Sequence, residues 1–317
     1  MIKFERAIYN TLFHCLQIQQ NDSLVIIVDK YLLQIGQAFF DKAEKHRIDV
    51  ALLTIPTRNY KQPEPAASIL NLMKQISAVL IFSSHPLIHS KFVKQLCHNG
   101  VRVLCTNSTS QAQLERVLNI NFKFIEDKSR RMADLFSIGK QVHLTTKAGT
   151  DLKFKITRHK GFANTGIVRE PGSLEFLPAG EATITPDRQT TNGVVIVDGS
   201  IPPFGLIKDH IEICFKDGYA YHIAGAGNVE PFKKCLKSFG KKSRNIAEFG
   251  IGANPGAILT GATTEDEKVL GTAHIALGNH LFEGGSLKKH LHIDLVLKKP
   301  TVIIDGYTLM KNGKLTA

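Results

Sequence analysis

The stretch KKHLHIDLV, residues 288–296, alternates strictly: His290, His292 and Asp294 take one set of positions, Leu291, Ile293 and Leu295 the other. A period of two is that of a β-strand, whose successive side chains point to opposite faces. One face of this strand is apolar and belongs to a core. The other carries two imidazoles and a carboxylate, donors that suit a divalent transition metal. The reading makes the C-terminal half a β-structure built to present polar groups, and the neighbouring sequence extends it. AEFGIGANPGA (247–257) supplies Glu248, and EKVLGTAHIALGNH (267–280) supplies His274.

Working outward, the same texture reaches back to Gly139. QVHLTTKAGTDLKFKITRH (141–159) reads as two strands around the turn Ala148-Gly149-Thr150. LEFLPAGEATITPD (174–187), TNGVVIVDGSI (191–201) and IEICFKDGYAYHI (211–223) follow, with one helical segment near 228–239. Glycine and β-branched residues dominate, so residues 139–317 are expected to form a β-rich α+β metal-binding catalytic domain. Glu181 lies in the tight, apolar setting of LPAGEATITPD. A carboxylate there, like Glu248 beside its glycines, is costly to bury without a cation or hydrogen-bond donors.

Residues 1–138 differ. LVIIVD (24–29), DVALLTI (49–55), SAVLIFSS (77–84) and VRVLCT (101–106) are short, apolar runs, as strands buried on both faces should be. Helical spacing occupies 1–20, 31–46, 66–76, 88–98, 110–118 and 125–138, with a polar loop over 57–65. This alternation predicts an α/β fold that begins with a Rossmann-like parallel α/β layer. No GxGxxG follows the first strand and there is no P-loop, so no nucleotide site is expected. Asp29, at the end of the first strand, reads as a cap.

Composition sets the remaining bounds. A chain of 317 residues with 43% hydrophobic and 21% charged residues is an ordinary globular sequence, long enough for two domains. It contains no apolar run of the roughly 18–20 residues that a membrane span needs, and its first residues lack the apolar region of a signal peptide. A cytoplasmic location is the expectation. Five scattered cysteines without CxxC spacing read as free thiols. The net charge of +12 is dispersed; its densest piece, FKKCLKSFGKKSR (232–244), reads as a solvated helix end and loop. Without an RNA-binding aromatic motif or zinc-finger spacing, the charge does not argue for nucleic acid.

The candidate site residues are therefore Glu181, Glu248, His274, His292 and Asp294, with His290 and His222 as spares. His159, His210 and His280 read as ordinary structural or surface histidines. The succession LPAGEATITPD, NGVVIVDGSI, AEFGIGANPGA, GTAHIALGNH, HLHIDLVL and PTVIIDG, preceded by AGTDLKFKI, resembles the aminopeptidase T (M29-type) metallopeptidases over most of 141–309. The resemblance implies a two-metal exopeptidase, and a homodimer, with zinc, cobalt or manganese held by Glu181, Glu248, His274, His292 and Asp294. It implies that one of Glu181 and Glu248 is the general base or bridging ligand, acting on a metal-activated water that attacks the N-terminal bond of a short peptide.

The chain departs from that pattern at one position. The peptidases carry a tyrosine seven residues after the first histidine, and here that position is Leu281. Loss of such a donor can cost about 10²–10³ in rate. The chain is also short for the group, a length that suits the branch of the same scaffold represented by 2,5-dihydroxypyridine 5,6-dioxygenase, a mononuclear iron enzyme. Under that alternative, His274, His292 and Asp294 would form a two-histidine, one-carboxylate set for iron(II), and the substrate would be a small heterocycle. A further alternative is a non-catalytic binding protein on the same scaffold, supported by the basic surface. The metallo-aminopeptidase is the main expectation.

Overall fold

The runs LVIIV (24–28), AVLIF (78–82) and VLCT (103–106) are buried on both sides as expected, whereas DVALLTI (49–55) lies at a sheet edge and is fully buried only at Ile55. The computed structural model describes residues 3–56, 65, 67–73, 75–84, 87–106, 110–227, 229–279 and 291–316. Within them β1 (Ser23–Asp29), β2 (Asp49–Ile55), β3 (Ala78–Phe82) and β4 (Arg102–Thr106) pair in parallel. Around them run α1 (Lys3–Tyr9), α2 (Leu33–Lys45), α3 (Ala67–Leu72), α4 (Lys91–His98) and α5 (Gln111–Leu118); α6 (Phe122–Ile138) follows, and its Met132, Ala133 and Phe136 are buried with the strands that come after it. Alternate strand residues divide between the two sides of the sheet. Val25, Ile27, Val79, Ile81 and Val103 cluster with Phe92, Val93 and Leu96 of α4. On the opposite side Phe82 meets Phe39 of α2, ring centroids 4.7 Å apart. Serine caps start two helices: Ser90 Oγ accepts from the Val93 amide and Ser110 Oγ from the Gln113 amide.

The first helix is shorter than its periodicity suggests. It ends at Tyr9 and continues as π-helical turns over Asn10–Cys15; of the helical stripe that the spacing of Phe4, Ala7, Ile8, Thr11, Leu12 and Cys15 suggests, all but the half-buried Phe4 are buried. Asp29 is a cap, as expected: its carboxylate accepts from the Tyr31 amide and from the amide and hydroxyl of Ser84. The proposed loop over 57–64 lies outside the described residues.

After α6 the chain forms β5 (Gln141–Thr145), β6 (Asp151–Lys155), β7 (Phe162–Asn164), β8 (Leu174–Leu177), β9 (Glu181–Ile184), β10 (Asn192–Val197), β11 (Ile211–Lys216) and β12 (Tyr219–Gly225). The helix α7 (Val229–Phe239) and the strand β13 (Ile246–Gly252) follow. A single helical turn, α8 (Thr263–Asp266), precedes β14 (Thr272–Gly278), β15 (His292–Lys298), β16 (Thr301–Ile304), β17 (Tyr307–Lys311) and β18 (Lys314–Leu315). The strand β8 does not join the antiparallel structure that surrounds it in sequence. It pairs in parallel with β4, giving a five-stranded sheet in the order β2-β1-β3-β4-β8. Accordingly, one compact unit comprises Met1–Glu126 with Asn164–Ala179, and the other Asp127–Ala163 with Gly180–Ala317.

The second unit holds two sheets, of order β12-β11-β10-β6-β5-β16-β17-β18 and β15-β14-β13-β9-β7. They share one core, in which Leu144, Phe154, Val195 and Ile213 of the first pack with Ile184, Phe249, Ile275 and Leu295 of the second. The result is a mixed α/β protein with one parallel and two antiparallel sheets, and no described helix is long and apolar enough to cross a membrane. All five cysteines are free, Cys15 and Cys105 fully buried and the others half-buried. In α7, Phe232 and Leu236 face inward while Lys234 and Lys237 are exposed.

Candidate metal centre

The five-stranded antiparallel sheet separates core from chemistry by its pleat. On β9, β13, β14 and β15 the residues Ala182, Ile184, Phe249, Ile251, Ile275, Ile293 and Leu295 enter the core. Glu181, Glu248, His274, His292 and Asp294 are set at the alternate positions and share the other face. Each has a small partner across the ladder: Glu181 pairs with Gly252, Glu248 with Ala276, His274 with Gly250 (and on its other side with Val296), Asp294 with Ala276 and His292 with Gly278. Five functional side chains thus lean over glycine and alanine rather than over one another's Cβ atoms. A Cβ on Gly250 would stand 2.2 Å from His274 Nε2, so the imidazole lies directly over that glycine.

The sheet face is nevertheless buried: Glu181 and Glu248 are nearly so, His274 and Asp294 completely. Ligand-type atoms gather into two groups, Glu248 with His292 and Asp294, and Glu181 with Glu267 and His274. His292 Nε2 is 3.3 Å from Asp294 Oδ1 and 3.9 Å from Glu248 Oε1. His274 Nε2 is 3.6 Å from Glu248 Oε1 and 3.7 Å from Glu181 Oε2. The separations of 3.6 Å and more exceed a hydrogen bond. Among the buried polar atoms, Glu181 Oε2, both nitrogens of His274, His292 Nε2 and both oxygens of Asp294 have no hydrogen-bond partner. His292 is oriented from behind, its Nδ1 donating to the Asn279 carbonyl at 3.2 Å, which turns Nε2 toward the carboxylates.

Electrostatics point the same way. Burial opposes a charged imidazole at His274, but Glu248, Glu181 and Asp294 outweigh it and hold this group up at about 9. Burial likewise opposes charge at His292, yet Asp294 and Glu248 raise it to about 10. Asp294 is held well below the usual carboxylate range because His292 overrides the cost of burial. Glu267 is pushed up to about 8, chiefly by burial and against the pull of Lys268. Two of the carboxylates, Glu181 and Glu267, hold a fully buried ammonium, Lys268, with Nζ 2.5 Å from Glu181 Oε1 and 2.6 Å from Glu267 Oε1. Clustered carboxylates with orphaned oxygens and imidazole nitrogens are costly without a cation. The donor set fits a divalent metal, and oxygen and imidazole nitrogen are the donors such an ion takes.

A cavity of about 320 Å³ reaches Glu248 and is walled by Gly161, Phe162, Thr183, Ile184 and Thr185, with His159 and Lys160 also on its lining. Its size suits a small organic molecule.

The structure brings all five sequence-predicted residues onto one sheet face and adds Glu267 and Lys268, which were missed. Both stood in the quoted stretch EKVLGTAHIALGNH, where an adjacent Glu-Lys pair reads as solvated surface. The available signal was their position just before a strand buried at every residue. The two-histidine, one-carboxylate set expected under the dioxygenase alternative omits Glu248, which the geometry groups with His292 and Asp294. Of the other histidines, His222, His210 and His159 are exposed. His280, Leu281 and His290 lie outside the described residues.

Comparison with known proteins corrects the functional expectation. A family model described as 2,5-dihydroxypyridine 5,6-dioxygenase matches residues 6–317. The 2,5-dihydroxypyridine 5,6-dioxygenase of Pseudomonas putida is 24% identical over 256 residues, covering 76% of this chain and 72% of its own. The solved 2,5-dihydroxypyridine dioxygenase structure from Pseudomonas putida KT2440 matches with TM-score 0.83 at 18% identity, over 99% of this chain and 97% of that one. AmpT from Thermus thermophilus matches with TM-score 0.70 at 16% identity, over 99% of each chain. The aminopeptidase scaffold is therefore shared, but at this identity it carries the fold alone. The main expectation of a metallo-aminopeptidase, and with it the hydrolase and metalloprotease classes, is overturned by the family match and the curated relative, both of them dioxygenases. The match over nearly the whole length places the chain among enzymes: it belongs to the 2,5-dihydroxypyridine 5,6-dioxygenase family.

Proposed function

We propose that the protein is a mononuclear iron(II) dioxygenase that opens a small hydroxylated nitrogen heterocycle, with 2,5-dihydroxypyridine as the first substrate to test. The observation that carries this reading is the buried group of Glu248, His292 and Asp294, in which His292 Nε2 and both Asp294 oxygens are unpartnered and Glu248 lines a cavity of small-molecule size. When bound, iron(II) would supply the electron transfer that lets dioxygen react with an aromatic ring.

The chain's own residues do the rest. His292 Nε2 and the carboxylates of Asp294 and Glu248 hold the ion, and the Asn279 carbonyl fixes the tautomer of His292. Glu248 belongs both to the ligand group and to the cavity wall, so a ring in the cavity lies beside the metal group. Its carboxylate is placed to accept a proton from a substrate hydroxyl. Phe162 offers a flat apolar surface to the ring, and Lys160 favours an ionised hydroxyl over a neutral one. The low exposure of the sheet face limits water at the ligand atoms. A small-molecule substrate and a homodimeric assembly are part of this proposal.

The test is anaerobic loading with iron(II), followed by 2,5-dihydroxypyridine and air. About one dioxygen should be consumed per ring, with loss of the aromatic ultraviolet band. Fully iron-loaded protein that leaves both oxygen and ring untouched would sink the reading.

A further inference from the structure

We infer that Lys268 is a built-in cation that holds Glu181 and Glu267 in place of a second divalent ion, so that the site takes a single metal. Of the two groups of ligand-type atoms, Glu181–Glu267–His274 already contains an ammonium, with Nζ 2.5 Å from Glu181 Oε1 and 2.6 Å from Glu267 Oε1. The ammonium thus sits on one oxygen of each carboxylate and supplies the counter-charge a metal would bring, although Glu181 Oε2 and the His274 nitrogens stay unpartnered. An ammonium gives both carboxylates a counter-charge and hydrogen-bond donors but offers no coordination site. The other group, Glu248–His292–Asp294, has no such occupant among the described residues, and His292 Nε2 and both Asp294 oxygens remain unpartnered.

The backbone commits Lys268 to this place. A lysine with a fully buried ammonium is costly unless its position is enforced and its charge matched. Gly252, opposite Glu181 in the ladder, has no side chain to block the segment 267–269: a Cβ there would stand 2.2 Å from the Val269 carbonyl oxygen. The segment therefore crosses β13 beside Glu181. Asn254 ties it down, its amide donating to the Lys268 carbonyl at 2.8 Å and its carbonyl accepting from the Leu270 amide at 3.1 Å. Just before it, buried Asp266 accepts from the amides of Thr260 and Gly261, and buried Glu265 from the Ile258 amide. The lysine extends from a fixed anchor.

This inference rests on the metal site proposed above but not on its substrate. The experiment counts metal without oxygen or substrate: purified protein is saturated with manganese(II), desalted, and examined by elemental analysis and electron paramagnetic resonance. Wild type should retain about one equivalent with the spectrum of an isolated ion. Lys268→Met, refolded in manganese(II) if it needs the ion to fold, should retain about two with the signature of a coupled pair. Lys268→Arg, which keeps the charge, should stay at one. Two ions in wild type would overturn the inference and the mononuclear reading together, whereas a folded, metal-replete Lys268→Met that stays at one would overturn the inference and leave the dioxygenase reading standing. One ion with no reaction toward dihydroxypyridine would do the reverse.

Discussion

At the scale of single residues, the site depends as much on what is small as on what is charged. Gly250 illustrates this, because the ring of His274 occupies the space where its side chain would be. Gly250→Ala forces the imidazole or the strand to shift, and such overpacking costs about 1–3 kcal/mol. Urea unfolding should register that loss together with weaker metal retention. Removing the obstructed ring in Gly250→Ala/His274→Ala should restore part of the stability, though not the metal. Two independent, additive effects would contradict this account. His292 and Asp294 were legible because spacing of two exposes a strand face without any structure, whereas Glu181, Glu248 and His274 were found through their glycine-rich segments and the resemblance of those segments to the peptidases. Lys268 and Glu267 were not, because a charged residue is normally solvated, and only the crossing of 267–269 over Gly252 reverses that expectation.

At the scale of elements, most strands are where β-branched runs put them, and β2 begins and ends at the expected residues. The exception, β8, is instructive. LEFL (174–177) carries nothing local to say whether it pairs with the next strand or joins a parallel sheet, since pairing partners are a long-range choice. The end of β6 shows how one side chain closes an element. Asp187 Oδ2 accepts from the Thr157 amide at 3.0 Å and hydroxyl at 2.6 Å, and Oδ1 accepts from the Arg158 amide at 3.1 Å. Burial raises the pKa of this group, but the bonds from Thr157 and Arg158 outweigh it and the net shift is downward. A folded-state pKa below the unfolded value of about 3.9 stabilises above that pH, and the contribution disappears as pH falls through the folded value. Asp187→Asn should therefore cost about 1–3 kcal/mol at neutral pH. The deficit should shrink on acidification below about pH 4; denaturant melts at both pH values measure it, and a pH-independent deficit would contradict the assignment.

At the scale of the whole molecule, the sequence pattern announced a parallel α/β layer followed by β-rich structure, and both are present. The pattern did not announce that Asn164–Ala179 belongs with the first unit, because β8 declares its allegiance only through its neighbour β4. In the second unit, the proposed ligands Glu248, His292 and Asp294 stand on β13 and β15, which β14 joins and β9 flanks, so metal bound there would be linked to the stability of these four strands. Metal at about 100 times its dissociation constant adds about 2.7 kcal/mol. Chelation should accordingly speed amide hydrogen exchange in β9, β13, β14 and β15. Exchange in those strands that ignores the metal would remove it from this face.

The alternation along β9, β13, β14 and β15 has a consequence for protein engineering. The odd-numbered β9 positions and the even-numbered positions of the other three carry the reactive groups, while their immediate neighbours carry the hydrophobic load. A mutational library confined to 181, 183, 248, 250, 274, 292 and 294 can therefore vary catalytic repertoire while leaving the shared core's residues unchanged. Its complement, at 182, 184, 249, 251, 275, 293 and 295, can tune thermal tolerance while leaving every proposed ligand unchanged. Selection can act on the two properties in separate rounds, on the same four strands.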